Sequence, residues 1–152
     1  MYNREAALEY AKIWALRRNP KYYNFDNIGG NCTNFISQCL YAGGSVMNFT
    51  KDTGWYYINQ NNRAAAWTSV SNLHRFLTTN KSHGPKGKVI PLHKIKVADI
   101  IQLSFKDGIF SHSLFVTEVW PIILVAANSD DVLDKPLHNY EYKEARGITI
   151  IS

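Results

Sequence analysis

The pattern of apolar and polar residues changes about halfway along the chain. In the first half, apolar side chains recur at the spacing of one helical face. This spacing predicts helices from Asn3 to about Arg18, from Cys32 to the stop at Ala42-Gly43-Gly44, and from Ala65 or Ala66 to Asn80. From His83 onward, short β-prone runs are separated by Gly, Pro and Asp. The predicted strands are Lys88 to Pro91, Ile100 to Phe105, Ser111 to Glu118, Ile122 to Ala127 and Gly147 to Ile151.

Helices that precede the strands without alternation favour an α+β fold, in which the N-terminal helices pack on one side of a mostly antiparallel sheet. The Asp107-Gly108 pair between two predicted strands is typical of a tight hairpin turn. With 152 residues, the chain has the usual length of one domain and can bury a core without disulfides or a structural metal. We therefore expect a single domain over residues 1–152.

The stretch around Cys32 carries the strongest chemical signal. Gly29 and Gly30 can adopt backbone angles that other residues resist, and Asn31 is a favoured N-cap. Cys32 is therefore predicted on the first turn of a helix, where free N–H groups and a partial positive charge favour a thiolate and can stabilise an oxyanion. These features make Cys32 a candidate nucleophile for acyl transfer. The alternative is a small buried apolar residue, because Cys32 shares a helical face with Phe35.

The second cysteine, Cys39, lies within the apolar stripe of the same helix and is expected in the core. Seven residues of helix put its Cα atom about 10 Å from that of Cys32, which is beyond the reach of a disulfide. This spacing also fits no common zinc site. Neither a metal nor any other cofactor is predicted.

A thiolate nucleophile needs an imidazole to take up its proton and return it to the leaving group. His112 is the best of the five histidines because it opens a predicted strand. Strand alternation sends His112, Leu114 and Val116 to one face, which we expect to pack on the helices. The other four histidines lie in helical or loop settings: His74, His83, His93 and His138.

A third polar group is needed to orient the imidazole ring. The predicted strand Ile122 to Ala127 ends at Asn128, which could reach the ring of His112 from the neighbouring strand. Asn128 is the first candidate, and Asp130 and Asp131 are the alternatives. All three residue types are also common in plain turns.

Charge and hydropathy restrict the possible partners. The 17 Lys and Arg residues outnumber the 12 Asp and Glu residues, and the resulting charge of +5 favours encounter with anionic polymers. The basic residues are spread along the chain, and their densest cluster, Lys81 to Lys96, is predicted to lie in a loop and at a strand edge. Nucleic acid is therefore not a predicted partner. No stretch has the ~18 apolar residues of a membrane span, and the first residues lack a signal-peptide pattern. We expect a monomer, located in the cytoplasm, or in the cell envelope or outside the cell if a longer precursor is secreted.

Several segments together resemble a known family. They are Asn31 to Gln38 (Asn-Cys-Thr-Asn-Phe-Ile-Ser-Gln), the helix with Tyr10-Ala11 and Trp14, Gly54 to Tyr57, Ala98 to Ile101, and Ser111 to Ser113 with Val116-Thr117. The chain is similar over nearly its whole length to the bacterial putative amidase domain, which is related to the CHAP and NlpC/P60 peptidases. The resemblance implies a papain-like fold, with Cys32 as nucleophile, His112 as base and Asn128 at the position of the orienting residue. It also implies amide hydrolysis, with cell-wall peptides as expected substrates.

Three positions depart from the pattern of this family. Asn31 stands where Asp usually precedes the cysteine, Ala98 stands where Gly is usual, and Asn128 stands where His is frequent. The first two leave the chemistry intact, whereas the third leaves the orienting residue open.

These observations lead to three functional hypotheses. The first is a Cys-His amidase or peptidase acting on peptide or peptidoglycan-type substrates. The second is an acyltransferase that uses the same pair of residues. The third is a non-catalytic module that binds a cell-wall polymer through Trp55, Tyr56 and the basic surface.

Overall fold

The computed structural model describes residues 1–151 and has an α+β architecture, as predicted. The helices are α1 (Arg4–Trp14), α2 (Cys32–Ala42), α3 (Ala65–Thr68) and α4 (Val70–Thr79), with short 3₁₀ turns at Leu92–Lys94 and Leu137–Asn139. The strands are β1 (Tyr57–Asn59), β2 (Asn62–Arg63), β3 (Lys86–Ile90), β4 (Ile100–Lys106), β5 (Ile109–Glu118), β6 (Leu124–Ala127), β7 (Val132–Pro136) and β8 (Glu144–Ile151).

The main sheet has six strands in the order β3-β8-β4-β5-β6-β7, and every neighbouring pair is antiparallel. β4 and β5 form the predicted hairpin, in which Gly108 has a φ of +73° that a residue with a Cβ atom rarely adopts. β8, the last strand, inserts between β3 and β4. The C-terminal strand thus becomes an interior strand of the sheet.

Apolar side chains cover both faces of this sheet. On one face, the helices contribute residues such as Phe35 and Leu40, which pack in one cluster with Phe115 of β5. On the other face, Leu114 and Val116 belong to a second cluster with the 3₁₀ turns and loops. The prediction that Leu114 and Val116 face the helices is therefore wrong. Because both faces of β5 are apolar, its alternation could not indicate which face the helices cover.

Two further predictions about the elements need correction, and one strand of the main sheet was not predicted. Helix α1 ends at Trp14 rather than near Arg18. The predicted third helix is two helices, because Ser69 has an extended backbone and its hydroxyl caps α4 by accepting from Asn72 N–H. Strand β7 was not predicted, since Asp, Lys and Pro interrupt its short apolar run.

Trp55 has no solvent exposure and lies in the helix-side core, where its Nε1–H donates to Ser37 Oγ over 3.0 Å. Tyr56 is half-buried, and its ring lies 5.3 Å from that of Phe49. Trp55 therefore packs the core and cannot contact a polymer at the surface. In the described part of the chain, no helix has both the length and the apolar character needed to cross a bilayer.

A buried carboxylate ties the start of the chain to its end. Asp99 is fully buried and accepts hydrogen bonds from Arg4 Nη1 at 2.7 Å, Thr149 Oγ1 at 3.0 Å, and the backbone N–H groups of Ile150 at 3.0 Å and Lys96 at 2.9 Å. The Arg4 guanidinium also donates to the carbonyls of Val97 and Ile150. Helix α1 is thereby fastened to the sheet.

We predict that Asp99→Ala lowers the free energy of unfolding by about 3 kcal/mol, because it leaves buried donors and a partly buried guanidinium without their acceptor. Asp107→Ala is the control, since Asp107 and its partner Lys143 are largely exposed and should change stability by less than about 0.5 kcal/mol. Urea unfolding followed by circular dichroism measures both. Equal effects of the two variants would contradict the structural role of Asp99.

Candidate active site

Cys32 is the first residue of α2, as predicted. The chain reaches it through Gly29 and Gly30, whose φ angles are +83° and +94°. Asn31 occupies the N-cap position but makes no capping hydrogen bond, and the first bond into the helix runs from Phe35 N–H to Asn31 O over 3.0 Å. The N–H groups of the first turn are therefore left without a side-chain acceptor and can donate to an anion.

The two thiols have different environments. Cys32 is partly exposed, and its Sγ lies 3.7 Å from Thr33 Oγ1. Cys39 is completely buried, and burial raises its pKa well above the ordinary value. No disulfide joins them, in agreement with the helix geometry. Only Cys32 is placed to react with a molecule from solvent.

The residues on either side of Cys32 fasten the helix start to the sheet. Thr33 Oγ1 lies 2.9 Å from Ser113 Oγ on β5. Asn31 Nδ2 donates to Asn128 Oδ1 at the end of β6 over 3.0 Å. All four of these partners are buried. Cys32 is thus held between two buried polar contacts with neighbouring strands.

His112 precedes Ser113 on β5, so it is one residue away from the contact with Thr33. Since Ser113 and Phe115 point to the helices, alternation turns His112 toward the opposite face. The prediction that His112 shares the helix-facing row is therefore corrected. A register shift in the β4–β5 ladder adjoins His112, which pairs with Leu103.

The ring of His112 lies in a groove of about 450 Å³ that is also lined by Asp130, Lys135 and Tyr140. Burial lowers the pKa of His112 below its ordinary value, the Asp130 charge raises it, and the Lys135 charge lowers it. The net shift is downward, so the imidazole is neutral at neutral pH and can accept a proton. Among residues 1–151, no hydrogen bond joins the ring to Cys32 Sγ.

Strand β5 continues beyond the end of β6 at this point. Phe115 pairs with Ala126, and extending this register by two residues puts Ser113 opposite Asn128. Residues 109–112 of β5 therefore extend past the last residue of β6. We call residues 109–112 the free edge of β5, because β6 does not pair with them.

Asn128 and His112 are on neighbouring strands, as predicted, but their side chains have different partners. Asn128 is buried, donates from Nδ2 to Ala15 O over 2.6 Å, and accepts from Asn31. It makes no hydrogen bond to His112 within the described residues. Its amide instead links the end of α1 to the residue that precedes Cys32.

The two alternative orienting residues also separate in space. Asp131 pairs with Arg18 at 2.7 Å, and Arg18 also pairs with Asp26 at 3.0 Å. Asp130 lines the His112 groove, and its charge acts on His112. Of the three predicted candidates, Asp130 is the one that lines the groove with His112 and whose charge raises the pKa of the imidazole.

Sequence reasoning missed the polar row beside Cys32. Ser113 is joined through its hydroxyl to Gln102 Nε2 at 3.2 Å, and Gln102 Oε1 accepts from Arg146. The available signal was Gln102 itself, a polar residue inside the apolar run of β4.

In the part of the chain that the structure describes, no group of three or more His, Cys, Asp or Glu residues could hold a metal ion.

A partly exposed thiol at the uncapped start of a buried helix, next to a histidine-bearing antiparallel sheet, is an arrangement suited to nucleophilic chemistry. The chain belongs to the family described as "Putative amidase domain", whose family model matches residues 1–151.

Two proteins of Bacillus subtilis (strain 168) are similar to this chain. The "Uncharacterized protein YhbB" is 35% identical over 118 residues, which cover 76% of this chain and 37% of that protein. The "Uncharacterized protein YjcM" is 29% identical over 126 residues, which cover 76% of this chain and 28% of that protein. The chain thus spans well under half the length of these relatives. No solved structure gives a significant match.

We predict that replacing the two charges of the groove shifts the pKa of His112 in opposite directions. Asp130→Asn removes a negative charge that favours the imidazolium, so the pKa falls further. Lys135→Gln removes a positive charge that disfavours it, so the pKa rises. Titration of the His112 Cε1–H signal by NMR measures both shifts. Asp131→Asn is the control, and an equal shift in that variant would show that the effect is not specific to the groove.

Proposed function

We propose that this chain is a Cys-His hydrolase that cleaves amide bonds, with a papain-like arrangement of the helix start and the sheet. The observation that carries the proposal is the position of Cys32, partly exposed at an uncapped helix start and one residue from the Thr33–Ser113 contact beside His112. Membership of the amidase-domain family supports hydrolysis of an amide.

The reaction needs two half-reactions. In the first, His112 takes the proton of Cys32, and the thiolate attacks the amide carbonyl to form a tetrahedral oxyanion. The N–H groups at the start of α2 donate to that oxyanion. The C–N bond then breaks, and the amine leaves with the proton from His112. In the second, water attacks the thioester, releases a carboxylic acid and restores the thiol.

This mechanism requires the sulfur and the imidazole to meet around the free edge of β5. Catalytic hydrogen bonds are often long without substrate and tighten when it binds. The His112 ring makes no hydrogen bond to other described residues, so rotation of its side chain breaks no such bond. A substrate placed at the start of α2 would lie between the thiol and the groove that holds the ring.

The orienting group remains a prediction. Asn128 supports the helix start through Asn31, and a direct bond to His112 would require its amide to leave Ala15 O or to use its second lone pair. Asp130 lines the groove and favours the charged imidazole, which suits a residue that stabilises the imidazolium.

Peptides of the cell wall are the proposed substrates, on the basis of the family resemblance. An acyltransferase would use the same residues with an amine in place of water in the second half-reaction. The non-catalytic module is disfavoured, since Trp55 is in the core and offers no surface for a polymer.

We predict that Cys32→Ala and His112→Ala each reduce the release of peptide fragments from peptidoglycan by at least about 10³-fold, as expected for a nucleophile and its base. His93→Ala is the control, because His93 is exposed in the 3₁₀ turn Leu92–Lys94. Mass spectrometry of the digests identifies the cleaved bond. Undiminished cleavage by Cys32→Ala would refute the mechanism.

The two thiols should also differ in reactivity. Iodoacetamide at neutral pH should label Cys32 and leave Cys39 unlabelled in the folded protein, because Cys39 has no solvent exposure. Peptide mapping by mass spectrometry measures both rates. Equal labelling of the two cysteines would contradict this account of the site.

A further inference from the structure

Arg146 lies in a row of polar side chains that crosses three strands toward the start of α2. Gln102 of β4 pairs with Arg146 of β8 on one side and with Ser113 of β5 on the other. Its Oε1 accepts from Arg146 Nε at 2.9 Å and Nη2 at 2.6 Å, and its Nε2 donates to Ser113 Oγ. Ser113 contacts Thr33, the neighbour of Cys32.

The charge of Arg146 is not neutralised by the protein. Among residues 1–151, no carboxylate forms an ion pair with it; its contacts are the neutral Gln102 and the ring of Phe110, 3.9 Å from the guanidinium carbon. Glu144, on the same face of β8, accepts from Gly108 N–H instead. Burial lowers the pKa of Arg146, and no acidic group counteracts this. Partial burial of a guanidinium without a carboxylate partner has an unfavourable desolvation free energy, which a bound anion would offset.

The free donors of Arg146 suit a carboxylate. A guanidinium has five N–H groups, and two of them are used by Gln102. Nη1 and the second N–H of Nη2 have no acceptor among the described residues, and together they form the end of the fork that binds a carboxylate through two parallel hydrogen bonds. Burial and then the Arg146 charge lower the pKa of His74 of α4, so its imidazole is neutral at neutral pH and supplies no counter-charge to Arg146.

We propose that Arg146 binds a carboxylate of the substrate, so that this site selects peptides with an acidic group near the scissile amide. The inference rests on the proposed hydrolase function. Strands in a sheet are about 4.8 Å apart, which places Arg146 roughly 10 Å along the row from Ser113. An extended peptide rises about 3.3 Å per residue, so the acidic group lies about two or three residues from the amide that Cys32 attacks.

A binding experiment tests this proposal without turnover. The Cys32→Ala protein, labelled with ¹⁵N, is titrated with the C-terminally amidated peptides acetyl-Ala-Ala-Glu and acetyl-Ala-Ala-Gln, which differ in one carboxylate. We expect the Glu peptide to bind about tenfold more tightly, as a charge-assisted pair provides, and to shift the Arg146 Nε–Hε resonance. In the double variant Cys32→Ala/Arg146→Gln the two peptides should bind equally.

Two further variants separate recognition from folding. Arg17→Gln is the matched control, because Arg17 is exposed and stacks on Trp14, and it should keep the preference for the Glu peptide. Arg146→Lys keeps the charge without the fork, and it should retain part of the preference even if Arg146→Gln unfolds. Equal affinities, or no binding, of the two peptides to Cys32→Ala would overturn the proposal, as would a preference that survives in Arg146→Gln. If the preference depends on Arg146 but the wild-type protein releases no fragments from peptidoglycan, the binding site is supported and the proposed hydrolysis is refuted.

Discussion

The structure of the candidate site depends on two buried polar contacts that hold the start of α2 against the sheet. Thr33 contacts Ser113, and Asn31 donates to Asn128. The contact between Asn31 and Asn128 satisfies an amide donor and an amide acceptor that would otherwise be buried without a partner, at a cost of about 1–3 kcal/mol per group. The helix start therefore cannot slide along β5 or rotate without breaking them. Their combined effect is to leave Cys32, the residue between them, at the surface with the N–H groups of the first turn available.

The two faces of β5 contact different parts of the molecule. The face with Ser113 and Phe115 carries the helices, and the face with His112 and Leu114 carries the second core and the groove. A residue pair split between two faces can meet only where the sheet ends. The shortness of β6 provides such an edge beside His112. Under the proposed mechanism, the site lies at this edge, away from the continuous apolar packing at the centre of the sheet.

Arg4 of α1 and Arg146 of β8 are both partly buried and illustrate different uses of a cation. Arg4 pairs with the fully buried Asp99, and the carboxylate has three further donors, so the charges are balanced inside the fold. Arg146 has only a neutral amide and an aromatic ring as partners. A balanced pair stabilises a structure, whereas an unbalanced charge such as that of Arg146, two strands away from Ser113, remains free to pair with a ligand.

Local patterns in the sequence determined the order of helices and strands, the turn at Gly108, the start of α2 at Cys32 and the core position of Cys39, because these depend on backbone preference and on the spacing of apolar residues within one element. Such patterns could not predict the break at Ser69 or the additional strand β7. A short polar interruption has the same sequence pattern whether it lies in a loop or in a helix or strand. Only the tertiary structure decided which face of β5 meets the helices, because both faces are apolar. It also decided that Asn128 bonds Asn31 and that Arg146 has no acidic partner, since both facts depend on strands that are distant in sequence and adjacent in space.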